Sequence, residues 1–293
     1  MGIRSDNKSG RIFFVITFGF VMKKLLSFIV LFFGGTVIAF SQSSTDLRPL
    51  MDTLKVLGKS VLGGRTDSIR VAANQRFLLL MQETLNNPAS FKASFDSVTN
   101  VSLLTSADDL VRVYTWTLPK ADMSAYTYFG IVQHYDEKKK KVKVSRLDDA
   151  SAAMENPQSL KLKAENWYGA VYYDIIESKR GGKKYYTLLG WKGNNRITTK
   201  KVMDVMYFKR DSVMLGYPLF KSEKGYVNRV VFEYAAEAVM ALRYESSKTM
   251  IVFDHLSESG NHAAGPDGKY DAYKLVKGRW EFIKDVDVSR FSD

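Results

Sequence analysis

From about Val101 onward apolar residues recur at every second position, and this period limits the fold more than any other feature of the chain. "DLVRVYTWTLP" (Asp109 to Pro119), "AYTYFGIVQHYD" (Ala125 to Asp136) and "KVKVSRL" all alternate. A period of two belongs to the β-strand, whose successive side chains point to opposite faces. "WYGAVYYDIIESK" (Trp167 to Lys179) and "KKYYTLLGW" (Lys183 to Trp191) flank Gly181-Gly182, a hairpin signal. "KKVMDVMYFKR", "VMLGYPLF", "NRVVFEYAAEAVMALRYE", "KTMIVFDHL" and "YDAYKLVKGRWEFIKDV" complete the series. The small central residues of the long "NRVVFEYAAEAVMALRYE" segment predict a bend or bulge. Val, Ile, Tyr and Phe dominate these runs, as strands prefer. The spacing predicts a mainly β fold of about ten strands in meander order, a twisted antiparallel sheet closed as a barrel or folded as a sandwich. The same pattern argues against helix-rich and doubly wound folds.

The alternation also says what covers the sheet. Tyr126, Tyr128 and Val132 share one face of their strand, and Phe129 and Ile131 the other. Tyr168, Ala170, Tyr172 and Ile176 likewise oppose Trp167, Val171, Tyr173 and Ile175. Apolar residues on both faces predict a sheet covered on two sides. An outer-membrane barrel, the alternative that 38 aromatic residues raise, would instead turn polar residues to its lumen.

The period is 3.6 before the strands begin. Leu47, Leu50, Met51, Leu54, Leu57 and Val61 form one stripe, predicting a helix over Thr45 to Leu62 that Gly63-Gly64 ends. Asp67 is placed to cap a second helix with Ile69, Ala73, Phe77, Leu80 and Leu85 inward, and Asn86-Asn87-Pro88 stops it. The expected organisation is a targeting segment over 1–41, a helical hairpin over 42–88 and an antiparallel β domain over 89–293. A second, weaker break is expected in "DDASAAMENPQS", Asp148 to Ser159.

The targeting segment is "VMKKLLSFIVLFFGGTVIAFSQSS". Met22-Lys23-Lys24 is a basic start, Leu25 to Ile38 an uncharged apolar run, and Ala39-Phe40-Ser41 a small-residue cleavage pattern. Reading the run together with Ile12 to Met22 as a membrane span would bury Lys23 and Lys24, at a cost of about 2.5–3.5 kcal/mol each. The expectation is a start at Met22, cleavage after Ser41 and export to the periplasm or beyond, with no stable transmembrane span left. The absence of cysteine leaves no lipid attachment site after the apolar run, no disulfide and no zinc–thiolate site.

Residues 42–293 carry 38 Lys and Arg against 30 Asp and Glu, a balance of +8. The basic residues gather at Lys138 to Lys141, around Gly181-Gly182 (Lys179, Arg180, Lys183, Lys184) and at Lys200-Lys201. Each cluster lies where a turn is expected, so they read as solvated turn tips and edge guards rather than a nucleic-acid surface.

Residues with catalytic potential are few. His134, His255 and His262 show no metal-ligand spacing. His255 has Asp254 beside it and Ser257 and Ser259 downstream, the raw material of a base and nucleophile, but neighbours on a strand diverge and G-x-S-x-G is absent. His255 is expected packed at a strand end, bonded to backbone or a tyrosine hydroxyl. Gly58-Lys59-Ser60 lacks the earlier glycine and the strand of a phosphate loop. Asp267 and Asp271 are two oxygen ligands where calcium takes more, so Pro266-Asp267-Gly268 reads as a turn before a hairpin joined at Lys277-Gly278. Asp108-Asp109 and Asp148-Asp149 diverge on an extended chain and make poor acid–base pairs. No catalytic residue, metal site or cofactor is assigned. "GWKGNN" (Gly190 to Asn195) is the candidate binding stretch: Trp191, Asn194 and Asn195, with His255, are the candidate ligand contacts, for a glycan or an envelope protein.

The series "FDSVTNVSLLTS…VRVYTW", "WYGAVYYDII", "KKYYTLLGWKGNN", "KKVMDV", "RVVFEY", "MIVFDHL" and "PDGKYDAYKLVKGRW" resembles a group of exported β-rich proteins of Gram-negative, Bacteroidota-type envelopes. The resemblance covers about Phe77 to Asp287. It implies a folded, exported β domain and brings no catalytic residues with it.

Overall fold

The periods of 3.6 and two become two helices followed by strands. The structure is a computed structural model, and it describes residues 46–223, 225–259 and 262–291. The apolar segment before them, with its expected start at Met22 and cleavage after Ser41, lies outside the described residues.

Helix α1 (Arg48–Gly63) buries Met51, Leu54, Gly58 and Val61, and α2 (Asp67–Asn86) buries Ala73, Phe77, Met81 and Leu85. Two details differ from expectation. Thr66, not Asp67, caps α2, its hydroxyl accepting from the Ile69 N–H; Ile69 itself is 49% exposed because the stripe begins one turn later. Asp67 instead accepts a hydrogen bond from the Ala121 N–H at 2.6 Å. The Gly58-Lys59-Ser60 stretch is mid-helix.

Sixteen strands form among the described residues, more than the expected ten, because the long alternating runs break into separate pieces. They make three open sheets rather than a barrel. The first is a meander of β1 (Ser102–Thr105), β2 (Val111–Pro119), β3 (Tyr126–Asp136) and β4 (Lys141–Asp148). The second runs in order β5 (Leu162–Lys163), β9 (Ser212–Leu215), β8 (Thr198–Lys209), β7 (Lys183–Gly193) and β6 (Val171–Arg180), with β12 (Arg229–Ala235) also paired to β8. The third is β11 (Gly225–Val227), β10 (Phe220–Ser222), β16 (Arg279–Ile283), β15 (His262–Val276), β14 (Met250–Ser259) and β13 (Leu242–Glu245); its β10–β16 pairing is parallel, the rest antiparallel.

The layers explain the two-sided apolar pattern. Phe77, Met81 and Leu85 of α2 pack on Tyr114, Trp116 and Ile131, the outer face of the first sheet. Val113, Tyr128 and Val132 on its inner face pack on Tyr172, Tyr186 and Leu188 of the second sheet. Ile176, Leu189 and Met203 on the far side of the second sheet meet Ile251, Phe253 and Trp280 of the third. Both faces of the first two sheets are therefore buried. The helix pair shares its core with the first sheet, and the boundary expected at 88 does not separate two bodies: the described residues form one unit. In β6 a bulge between Tyr172 and Asp174 interrupts the alternation, so Tyr172 and Ile175 face the first sheet while Ile176 faces the third.

The hairpins at Gly181-Gly182 and Lys277-Gly278 form as expected, all four residues at positive φ. Lys138 to Lys140 occupy the exposed β3–β4 turn and Lys141 opens β4; in the turn Lys139 pairs with Asp211 at 2.7 Å. Lys200 and Lys201 are not at a turn. Both lie inside β8, where Lys200 pairs with Glu233 at 3.0 Å and Lys201 sits 4.6 Å from the Tyr173 ring. No helix of the described residues is long and apolar enough to cross a membrane.

Candidate functional site

A polar cleft of about 490 Å³ opens where the first and second sheets part. Tyr126 of β3 lies on one side, and Lys192, Gly193 and Asn194 at the end of β7, Lys200 of β8 and Glu233 of β12 form the floor. The other wall is the segment after β4, from Ser151 to Gln158, whose two short 3-10 turns (Ser151–Ala153 and Pro157–Ser159) cannot extend either sheet. This is "DDASAAMENPQS", the stretch expected to be a weak domain break.

The wall is tied down at both ends. The residues just past β4 and Trp167 bridge to each other: the Ala150 N–H donates to Trp167 O at 2.9 Å and the Trp167 N–H to Asp148 O at 2.8 Å. At the far end Arg229 Nη1 donates to Pro157 O at 2.6 Å, and Asn228 Nδ2 to Ser159 O at 2.6 Å. Arg229 is wholly buried, as is its partner Asp204, with Nε donating to Oδ2 at 2.7 Å and Nη2 to Oδ1 at 3.0 Å. Trp167 Nε1 donates to the Tyr172 hydroxyl, which donates in turn to Asp204.

Lys192 is the unusual group of the cleft. Its side chain is 7% exposed and touches no carboxylate. Nζ donates to Ser151 Oγ at 2.8 Å and to Gly169 O at 2.9 Å, and lies 4.2 Å and 4.9 Å from the Tyr128 and Tyr168 ring centres. Burial pulls its ammonium down to about 8, although the charge of Asp149 works in the opposite direction. Asp149 holds the arrangement from behind, accepting from the Ser151 N–H at 3.0 Å and the Tyr128 N–H at 3.2 Å. Gly169 must be glycine here, since a Cβ would lie 2.5 Å from Asp149 Cγ and 2.7 Å from Tyr128 Cβ. Burial pushes the Tyr168 hydroxyl up to about 12, so that ring stays neutral beside the lysine.

Glu233 anchors the polar floor. It accepts from Thr198 Oγ1 at 2.6 Å and Asn194 Nδ2 at 3.1 Å, and pairs with Lys200. Burial raises its carboxyl, but these hydrogen bonds outweigh it and the net shift is downward, so Glu233 is an acceptor at neutral pH.

Of the sequence candidates, Asn194 reaches this cleft. Asn195 shapes the adjoining turn, accepting from the Ile197 and Thr198 N–H groups at 2.7 and 2.8 Å. Trp191 is half-buried, edge-on to Tyr126 at 5.4 Å, and lines a smaller neighbouring cleft of about 240 Å³ with Asn195, Lys201 and Tyr234. His255 lies in the third sheet, away from both clefts, at a bulge in the β14–β15 pairing. Its expected partner was backbone or a tyrosine; instead Nδ1 meets Asp271 Oδ2 at 2.9 Å, and Nε2 lies 3.9 Å from Asp267. Asp271 is 4% exposed and also accepts from the Asp285 N–H at 3.0 Å. Asp254 turns away and accepts from the Ala241 N–H at 2.7 Å, as the strand period requires. His255 thus has an orienting carboxylate sixteen positions away, but its second nitrogen faces another carboxylate rather than a serine. No group of three or more His, Cys, Asp or Glu able to hold a metal occurs among the described residues.

Sequence reasoning missed Lys192, Ser151 and Glu233. The available signal was Lys192 itself, a lone charge following "YYTLLGW" in a strand apolar on both faces. No protein-family model, curated protein or solved structure matches the chain.

Proposed function

We propose that the chain is an exported binding protein of the cell envelope, periplasmic or surface-exposed, that takes a short glycan in the cleft between its first and second sheets. The observation that supports this reading is the lining. The ring of Tyr126 stands beside a floor of Asn194, Lys200 and Glu233, which offers both donors and acceptors. A saccharide presents that same combination, an apolar ring face for an aromatic and hydroxyls that donate and accept. The mixed charges of the floor favour a hydroxyl-rich ligand over a strongly anionic one. Export rests on the Met22 to Ser41 segment and on the resemblance to exported envelope proteins. A hydrolase centred on His255 is the weaker alternative, because among the described residues its second nitrogen faces the Asp267 carboxylate rather than a nucleophile.

The test is a panel of envelope and host oligosaccharides titrated calorimetrically against the chain from Gln42. Binding of one class that weakens by about 1–2 kcal/mol in Glu233→Gln or Tyr126→Ala supports the assignment. Glycan binding that both variants leave unchanged, or a panel with no binder, removes it. Mass spectrometry of the exported protein tests location, with Gln42 as the expected first residue; a product still carrying residues 1–41 would contradict cleavage.

A further inference from the structure

The cleft holds more than a binding floor. Ser151 of its wall and Lys192 of its floor meet 2.8 Å apart, brought from segments forty-one positions distant. Nothing in ligand binding calls for a lysine sunk between two tyrosine rings without a carboxylate contact. We propose that Ser151 and Lys192 are a nucleophile and general base that remove an ester-linked acyl group from a carbohydrate held in the cleft. This rests on the glycan reading for its substrate, though not for its chemistry.

Geometry assigns the roles. Lys192 Nζ is flanked by Tyr128, Tyr168 and Gly169 O, so the side it turns to Ser151 is the one that faces the cleft, where it can take and return a proton. Ser151 is only partly buried and lines the open side. Neutral Lys192 has two N–H groups, suited to Gly169 O and a tyrosine face, and its lone pair is then free to accept the Ser151 hydroxyl proton. Desolvation makes the neutral amine accessible near neutral pH, the usual route by which a lysine becomes a base. Asp149 fixes the serine backbone, so the hydroxyl is presented from a held position.

The step balances with water as the only co-reactant. Ser151 Oγ bonds to the ester carbonyl carbon as its proton passes to Lys192 Nζ. The carbon–oxygen bond to the sugar then breaks, and that oxygen takes the proton from Nζ. Water adds to the acyl carbon and gives its proton to Nζ; the bond to Ser151 breaks and Oγ recovers the proton. The products are the free sugar hydroxyl and a carboxylic acid.

The charged and titratable groups facing the pair are Asp149, Glu155, Lys200 and Glu233, with Tyr128 and Tyr168. Against the pull of burial, hydrogen bonds from Thr198 and Lys200 hold the Glu233 carboxyl below its ordinary range, and burial pushes the Tyr128 and Tyr168 hydroxyls up, so a rise in reactivity with a midpoint near pH 8 belongs to Lys192.

The test uses a fluorophosphonate probe and an aryl acetate on the chain from Gln42, with peptide mapping of the adduct. The expected result is a single adduct on Ser151, absent in Ser151→Ala, slowed by about a hundredfold in Lys192→Met and rising with pH through about 8 in the parent protein. Thermal melts of both variants check folding; Ser151→Ala removes one oxygen atom, and the pH profile needs no variant. No adduct on Ser151, an adduct insensitive to Lys192, or a flat pH profile overturns the proposal. If the glycan panel binds while Ser151 stays unlabelled, the dyad falls and the binding reading survives. If Ser151 is labelled as expected and no glycan binds, the dyad stands and the carbohydrate is wrong.

Discussion

Two buried cations, Arg229 and Lys192, lie in the same sheet and differ in how the protein treats their charge. Arg229 on β12 is 0% exposed and meets Asp204 of β8 through two hydrogen bonds, with a third to Pro157 O. Its fork geometry matches a carboxylate, and Nε, Nη1 and Nη2 each donate to an oxygen. Lys192 on β7 is almost as deeply placed, yet its contacts are a hydroxyl, a carbonyl and two ring faces. The first arrangement keeps the charge and spends it on structure, because Arg229 pins the cleft wall through Pro157. The second gives the charge no contacting carboxylate, only the more distant Asp149, so the neutral form competes. Burial alone does not mark a functional charge; burial without a counter-ion, at the edge of a cavity, does.

The largest expected effect tests the structural side of that contrast. Arg229→Met leaves Asp204 buried without its partner and should cost about 3–5 kcal/mol in urea unfolding, while Arg229→Met combined with Asp204→Leu should recover much of the loss. A cost near zero for the single variant would erase the distinction between the two cations.

His255 offers an intermediate case, a half-exposed ring against the buried Asp271. His255→Ala should cost about 1–3 kcal/mol by leaving that carboxylate short of a donor, and His255→Asn about 1 kcal/mol, both read from thermal melts. Neither should change Ser151 labelling, since the pair lies in a different sheet.

Lys192 is tested through pH. Its ordinary value is 10.5 and its folded value about 8. Below pH 8 both folded and unfolded chains hold the proton, and the burial penalty is constant. Between the two values only the unfolded chain holds it, so stability rises with pH. Relative to Lys192→Met, the parent protein should gain about 1 kcal/mol between pH 7.5 and 9. Subtracting the variant removes the tyrosine titrations common to both. No change over this range would mean that Lys192 is a neutralised charge like Arg229, since both states would then hold the proton throughout.

The smallest effect is expected from the exposed cations. Replacing Lys138 to Lys141 with serine should change stability by no more than about 0.5 kcal/mol per residue, since the Lys139–Asp211 contact is a surface pair. A larger loss would show that charges at the turn are as integral as those inside the sheet.

Much of the fold was legible because period is a local property. The strands of "YTYFGIVQHYD" and the opposed faces Tyr128/Val132 and Phe129/Ile131 follow from alternation, and so did the conclusion that both faces are covered. The glycine turns follow from positive φ. Alternation does not encode which strand pairs with which, so the number of strands, the three open sheets and the parallel β10–β16 contact were not readable. Nor was the β6 bulge, where one extra residue reverses the faces after Tyr172.

The candidate site divides in the same way. "GWKGNN" identified the right end of β7, but attention fell on Trp191 and the asparagines, because an aromatic or amide is chemically suggestive wherever it lies and a lysine is normally solvated. The amino-acid order by itself determined two helices, a mainly β domain covered on both faces, and the turns at Lys138 to Lys140 and Gly181-Gly182. Only the tertiary structure decided that Lys192 is dry, that Ser151 from an apparent linker meets it, and that Asp271 serves His255. Those properties depend on side chains supplied by distant segments: Tyr128 from β3, Tyr168 and Gly169 from the approach to β6, and Asp149 from the end of β4. A charge's environment is a sum over neighbours in space, and no local pattern in the chain carries that sum.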